Sequence, residues 1–366
     1  MIRNIIKSSV FFLLVVLAGC KSNSDSDAGK NNNKPKNIIL FIGDGMGVSH
    51  LYAGMTKSGQ PFNLEKFPYS GLSKTYSADN YITDSAAGGT AIATGEKTNN
   101  GMIGVKLDST PVSSITEIAH NKGLGAGVVS TSAITHATPA SFVAHNAGRG
   151  NYEEIAEDFL KGTIDVFIGG GEDHFRNRKD GTDLTLKLIE QGFDVVFNIE
   201  DLKKSQSSKL AGLLAKEHMP KASEGRQGML SSMTRKAIET LSKNKNGFVL
   251  MVEGSMIDWG GHENNLDYIT DEMIDLDQAI GVALEFALLD KNTLIVVTAD
   301  HETGGLVLSG GDIPTRSVEA KFAGKDHSAV MVPIFSFGPG AEKFSGIHEN
   351  TFFFNEFVQL LGLARK

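Results

Sequence analysis

Cysteine is nearly absent from this chain: among 366 residues, Cys20 is the only one. A single thiol closes no intramolecular disulfide, so a hydrophobic core and any bound metals must hold the fold. Proline is sparse as well, with 9 residues against 41 glycines, below and above their usual shares of about 5% and 7%. Loose loops are expected, and with them an enzyme suited to the cold with modest heat tolerance. Positive charge is not in excess. Lys and Arg total 35 against 43 Asp and Glu, and the net charge of −8 argues against a nucleic-acid binder, which needs a basic face to neutralise phosphates. Familiar catalytic spellings are missing too. No Gly-Lys-Ser/Thr follows Gly88 and Gly89 at P-loop spacing, there is no GxSxG elbow and no HExxH helix, which removes the common nucleotide-loop, serine-hydrolase and zinc-protease readings.

Long apolar runs are also lacking. The run from Val10 to Ala18, preceded by Arg3 and Lys7, is too short to cross a bilayer as a folded helix and reads as an export signal. It ends in Leu17-Ala18-Gly19-Cys20, which resembles the bacterial lipoprotein processing box, whose cysteine becomes the lipidated first residue of the mature chain. Residues 1–20 are thus expected to be a signal peptide. The protein is expected to be exported and held to a membrane through Cys20, in the periplasm or at the cell surface. Residues 21–36 carry Lys, Ser, Asn, Asp and Gly without a large apolar side chain and read as a disordered tether. Residues 37–366 show no repeat and no further shift of composition, and are read as one catalytic domain.

What is present is alternation. Short β-branched runs (Ile38–Ile42, Ala126–Ser130, Ile164–Ile168, Phe248–Val252, Leu294–Thr298 and Val330–Phe337) alternate with helical periods, the pattern of an α/β fold with a largely parallel sheet buried on both faces. One helix is marked by Leu266, Ile269, Met273, Leu276, Ile280, Ala283 and Ala287, which step by three and four residues along one stripe of core. Ligands of such sheets gather beyond the carboxyl ends of the strands, where Asp44, Glu253 and Asp300 fall.

Those strand ends carry a metal-ligating vocabulary. Asp44 stands between Gly43 and Gly45. Glu253 precedes Asp258 and His262, which lie four apart and share one face if that segment is helical, a spacing that suits zinc. Asp300 and His301 end another strand, and His327 enters before the next. Taken singly, an Asp-Gly pair is more often a turn and an i, i+4 pair a surface ion pair. His50, His120, His174, His218 and His348 are read as ordinary satisfied histidines. Ser85, in TDSAAGGT ahead of a small-residue helical stretch, would sit at a helix N-terminus, where free N–H groups favour a phosphate; a plain N-cap is the competing reading.

The runs beginning at Asn37 (NIILFIGDGMG), Thr83 (TDSAAGGTA), Ile134 (ITHATPASFVAH, with Arg149 following), Val252 (VEGSMIDWGGH), Val297 (VTADHETGG) and Asp326 (DHSA) resemble, in order, the motifs of alkaline phosphatases, most closely the short cold-active bacterial ones. The resemblance implies a three-layer α/β/α sandwich and hydrolysis of phosphate monoesters through a phosphoserine formed on Ser85. It implies two zinc ions and one magnesium: Asp258, His262 and His327 at the first zinc, Asp44, Asp300 and His301 at the second, and Asp44, Thr138 and Glu253 at the third ion, whose oxygen donors suit magnesium. Arg149 would grip two phosphate oxygens with its planar fork. Broad specificity for small phosphate monoesters and a homodimer are further expectations. Some relatives carry Asp where His136 stands, and Lys or His where Trp259 stands. His136 offers the third site a nitrogen ligand, which suits zinc or cobalt better than magnesium, and Trp259 removes a possible phosphate-binding charge. A sulfatase is not expected, because Ala86, Ala87, Gly88 and Gly89 follow Ser85 where sulfatases place proline and arginine. A phosphodiesterase would use for its second ester group the oxygen that Arg149 is placed to hold.

Overall fold

The structure, a computed structural model, describes residues 34–363. The expected signal peptide, Cys20 and the tether through residue 33 lie outside the described residues.

Strand β1 (Asn37–Gly43) is buried at every position, because it is central: it runs parallel to β7 (Phe248–Gly254) on one side and β8 (Thr293–Thr298) on the other. Alternate residues along it feed opposite faces. Ile38, Leu40 and Ile42 join one apolar cluster with Ile92, Phe142, Phe167 and Phe357, while Ile39 and Phe41 join a second with Leu250, Met273, Leu276 and Ile280. A strand that must be apolar on both sides reads as one continuous run, and helices cover both faces.

The sheet extends through β3 (Gly125–Ala133), β4 (Val166–Gly170), β6 (Leu210–Leu213) and β5 (Asp194–Val196), each parallel to its neighbour. Beyond β8 on the other flank lie a strand at Val332–Phe337, then β2 (Tyr69–Lys74) and finally a strand at Gly346–Glu349. Numbered in chain order after β9 (Glu302–Thr303), β10 (Leu306–Asp312), β11 (Ser317–Phe322) and β12 (His327–Ser328), these two are β13 and β14. Only β13 is antiparallel within this sheet of ten. The result is the three-layer, largely parallel α/β architecture read from the alternation of runs. The strand expected from Val330 begins at Val332, since Val330 and Met331 are exposed before the chain enters the sheet.

The striped helix spans Leu266–Asp290 and buries Ile269, Met273, Leu276, Ile280, Ala283 and Ala287. Asn265 caps it by accepting from the Tyr268 N–H, which satisfies one of the free donors of the first turn. Two short pairings complete the described strands. The β10–β11 hairpin projects a largely exposed face, and β12 pairs with β9 so that His327 stands opposite Thr303.

Candidate active site

The carboxyl ends of β1, β3, β7 and β8 open into one polar centre. Asp44 leaves β1 in a turn closed by a hydrogen bond from Met46 N to Gly43 O. Gly45 in that turn has φ +72°, and a Cβ there would meet the backbone of Asp258 at 2.7 Å; glycine permits the conformation and the close approach together. Glu253 is the penultimate residue of β7, and the chain passes at once into the helix Met256–His262, which puts Asp258 and His262 on one face. Asp300 and His301 follow β8. His327 arrives on β12.

Ser85 is the first residue of the helix Ser85–Thr94 and is 2% exposed. It is not the cap. Asp84 is, accepting from Ala87 N at 2.9 Å, so the Ser85 hydroxyl is free for other work. Its Oγ lies 3.2 Å from His301 Nε2, and that nitrogen is 3.3 Å from both Asp44 Oδ1 and Asp300 Oδ2. Asp258 Oδ1 is 3.3 Å from His262 Nε2 and 3.5 Å from His327 Nε2, and the rings of His301 and His327 stack at 3.6 Å. Thr138 Oγ1 reaches Asp44 Oδ2 at 3.4 Å. Arg149 donates to Asp84 Oδ2 at 2.8 Å and lies 3.4 Å from His136 Nε2.

Ligand-capable atoms converge in three groups: Asp258 with His262 and His327, Asp44 with Asp258 and His301, and Asp44 with His136 and Glu253. The residues singled out in the sequence thus meet in one place, with Asp44 and Asp258 each serving two groups. Asp300 borders the middle group through His301, its Oδ1 accepting from Gly45 N and His301 N.

A family model described as Alkaline phosphatase matches residues 35–324. The chain belongs to this family. It is 35% identical to alkaline phosphatase 4 of Bacillus subtilis, over 92% of this chain and 91% of that protein. The structure of the alkaline phosphatase from the Antarctic bacterium TAB5 superposes with a TM-score of 0.87 at 42% identity, covering 91% of this chain and 99% of that one. A histidine-to-aspartate mutant of the TAB5 enzyme has Mg bound in its M3 site. A cold-active alkaline phosphatase from the psychrophile Shewanella sp. is 30% identical with a TM-score of 0.81, over 89% of this chain and 99% of that one. The protein is a metal-dependent alkaline phosphatase that hydrolyses phosphate monoesters.

The electrostatics of this alkaline phosphatase centre call for cations. Burial, then the charge of Asp300, raises the pKa of Asp44 well above the carboxylate range. Burial, then Asp258 and Glu253, pushes Asp300 up to about 8, and burial raises Glu253. Burial also acts on Asp258, but the histidines around it prevail and its pKa is lowered. His301 is lowered well below its usual value by burial and by His327, and His136 is lowered to about 3 by burial, Arg149 and His218. Burial thus keeps His301 and His136 neutral, the state a metal-ligating imidazole requires, whereas Asp258 raises His262. Asp44 Oδ1, Glu253 Oε1, Asp300 Oδ2 and His136 Nδ1 are buried without a hydrogen-bond partner. Orphaned acceptors of that kind are costly unless something positive satisfies them, so the donor set fits metal ions.

Some neighbours escaped the sequence reading. Asp84, Thr303 and His218 all touch the centre. Thr303 donates to Asp258 Oδ1. His218 meets Trp259 edge-on at 4.8 Å and His136 at 5.6 Å, while Trp259 stands 6.2 Å from His136. Asp84 carried a signal, the acid before Ser85. His218 carried none, because it comes from a loop beyond β6 that no periodicity ties to the site. His50 is as read: its Nδ1 accepts from Gly47 N and its Nε2 donates to Thr303 O.

Proposed function

We propose that Ser85 is the nucleophile of this phosphatase and that the cations are two zinc ions and one magnesium. The observation that carries the reading is Ser85 Oγ, uncapped at a helix N-terminus and 3.2 Å from His301 Nε2. Asp258, His262 and His327 would hold the first zinc, and Asp44, Asp300 and His301 the second. The third ion would take Asp44, Thr138 and Glu253, whose oxygens suit magnesium. His136 Nδ1 adds a nitrogen there, the donor that would admit zinc instead; the magnesium held by the TAB5 mutant with Asp at its histidine supports that division. When bound, such cations supply the concentrated positive charge that lets an oxygen nucleophile approach a phosphate dianion.

The chain's own groups do the rest. Arg149, oriented by Asp84, presents its fork to two nonbridging phosphate oxygens. Ser85 Oγ gives its proton to water and attacks phosphorus, the P–O ester bond breaks, and the leaving oxygen takes a proton from water and departs as the alcohol. A second water then adds its oxygen to phosphorus, the Oγ–P bond breaks, inorganic phosphate leaves and Oγ takes a proton to restore the hydroxyl. The main-chain N–H groups of Ser85 and Ala86, at the start of the helix and ahead of the capped Ala87 N–H, add the positive end of the helix to the same place. Beside His262 and His327 lies an open cleft lined by Ile82, Asn100 and Asp326, which leaves the alcohol largely unspecified and supports broad use of small monoesters. The phosphodiesterase alternative lacks support, because Arg149 takes the oxygen a second ester would need. Assay of p-nitrophenyl phosphate against its bis ester, with chelation and selective return of zinc or magnesium, tests the reading: hydrolysis confined to the bis ester would overturn it.

The same reading places the enzyme outside the cytoplasm as a lipoprotein held by Cys20, in the periplasm or at the cell surface, on the strength of the box ending at Cys20 and the tether after it. It also makes the protein a homodimer. Support comes from Val48, Tyr52, Val307, Val330 and Met331, exposed apolar residues at or beside one cleft, more than isolated surface residues require. Lipid labelling of Cys20 and sedimentation of the mature enzyme test these points.

A further inference from the structure

Arg149 lies on an irregular segment, not on a strand end or a regular helix, yet a phosphate clamp needs its fork held still. The segment 144–149 is hung from 101–104 by main-chain bonds. Ile103 and Asn146 exchange N–H···O bonds of 2.8 and 2.9 Å, and Arg149 N donates to Gly101 O at 2.8 Å. Gly101 N in turn donates to Asp84 Oδ2, the oxygen that takes the Arg149 guanidinium. At the other end Gly104 N donates to Thr90 Oγ1 at 2.9 Å, which ties the ladder to the helix that begins at Ser85.

His145 closes that far end. Its Nδ1 is 2.6 Å from Gly104 O and its Nε2 is 3.0 Å from Glu117 Oε1, while its main-chain N–H donates to Asp158 Oδ2 at 2.7 Å. Gly104 O is a carbonyl and can only accept, so Nδ1 carries a proton. Glu117 is itself fixed, its Oε2 accepting from Ser114 N at 2.8 Å. The imidazole therefore bridges the ladder to the helix Ile115–Asn121, and the fit is close: Gly104 has φ +58°, and a Cβ there would lie 2.1 Å from Ala144 O.

We propose that His145 is a positioning residue for Arg149, pinning segment 144–149 to Gly104 and Glu117 so that the guanidinium keeps its register with Asp84 and the phosphate. The inference rests on the reading of Arg149 as the phosphate clamp. A fork displaced by about 1 Å loses its two parallel bonds, and errors of that size cost up to about a hundredfold. Because the phosphate is held both before and during reaction, the loss should fall on binding more than on turnover.

The test compares purified metal-loaded wild type with His145→Ala, His145→Asn and Arg149→Ala, reading KM and kcat for p-nitrophenyl phosphate, the inhibition constant of inorganic phosphate, and metal content. His145→Ala is expected to raise KM and the phosphate constant about tenfold with kcat changed by less than about threefold and metal content unaltered. His145→Asn sets an amide N–H where Nδ1 stands and should recover most of the phosphate affinity. If His145→Ala does not fold, His145→Gln, which keeps a donor toward Glu117 and gives up the one toward Gly104, carries the same expectation. Phosphate affinity at the wild-type level in His145→Ala or His145→Gln, or a loss that falls on kcat and metal content with KM unmoved, overturns the proposal. If Arg149→Ala itself binds phosphate normally, the clamp reading falls and this inference with it.

Discussion

Asp84 Oδ2 accepts from Arg149 Nη1 at 2.8 Å while Asp84 Oδ1 accepts from Ala87 N at 2.9 Å. One carboxylate thereby locks the arginine to the first turn of the helix that carries Ser85, and the two groups a phosphate would meet share one brace. Replacing Asp84 with Ala removes a cap worth about 1 kcal/mol and frees the guanidinium. A lower denaturation midpoint and weaker inhibition by phosphate are expected, with the metal content of the purified enzyme unchanged. Unchanged phosphate inhibition would show that the brace is not needed.

Ser85→Ala should reduce monoester hydrolysis by about a thousandfold or more, since a covalent step loses its nucleophile. Acid quenching of wild type with labelled substrate should leave label on Ser85, and the variant should carry none. Hydrolysis at full rate by the variant would exclude a phosphoserine route.

Removing the metals should make stability fall as pH rises above about 6.5. There His136 and His301, both lowered chiefly by burial and opposing this slope at lower pH, are neutral in the folded and unfolded chain alike. Asp300 is raised from 3.8 to about 8, and Asp44 is raised as well, both chiefly by burial. The folded chain then binds more protons than the unfolded chain across that interval, so the slope of stability with pH is negative. The contribution is whole below about pH 4 and is lost as pH climbs toward about 8. Thermal melts of chelated protein at stepped pH, repeated after zinc return, check this: the decline should appear only without metal.

Arg226 is fully buried, with Glu272 and Asp275 both paired to it, and its Nε donates to Pro220 O at 2.7 Å. Arg226→Met would strand two buried carboxylates and should cost about 3–5 kcal/mol of stability, measured by denaturant unfolding of the metal-loaded enzyme. A cost below about 1 kcal/mol would mean that water reaches the pair.

The strands of the sheet's centre were legible because each must be apolar on both faces, and the runs at Ile38, Phe248 and Leu294 are apolar throughout except for the closing Thr298. The outer strands beyond β13 were not. Tyr69–Lys74 and Gly346–Glu349 mix exposed and half-buried positions, so they lack the continuous run that marks a buried strand, and their pairing is settled by what packs beside them. Asp258 and His262 were legible from a spacing of four, which a helix turns into proximity. Asp84 was not read from the sequence, which weighed only Ser85 as the cap, because which of two adjacent polar residues caps a helix depends on the backbone around them.

By itself, then, the sequence determined the α/β alternation, the striped helix and the acidic and imidazole residues at the strand ends, because period and residue type are local properties of a chain. Only the tertiary structure decided that Asp84 caps in place of Ser85, that Asp44 and Asp258 each serve two ligand groups, that His218 and Thr303 stand around the centre, and that His145 bridges Gly104 and Glu117. Those choices depend on distances between segments far apart in the chain, fixed by the stacking of parallel strands and the burial of their side chains. No spacing along the chain encodes them.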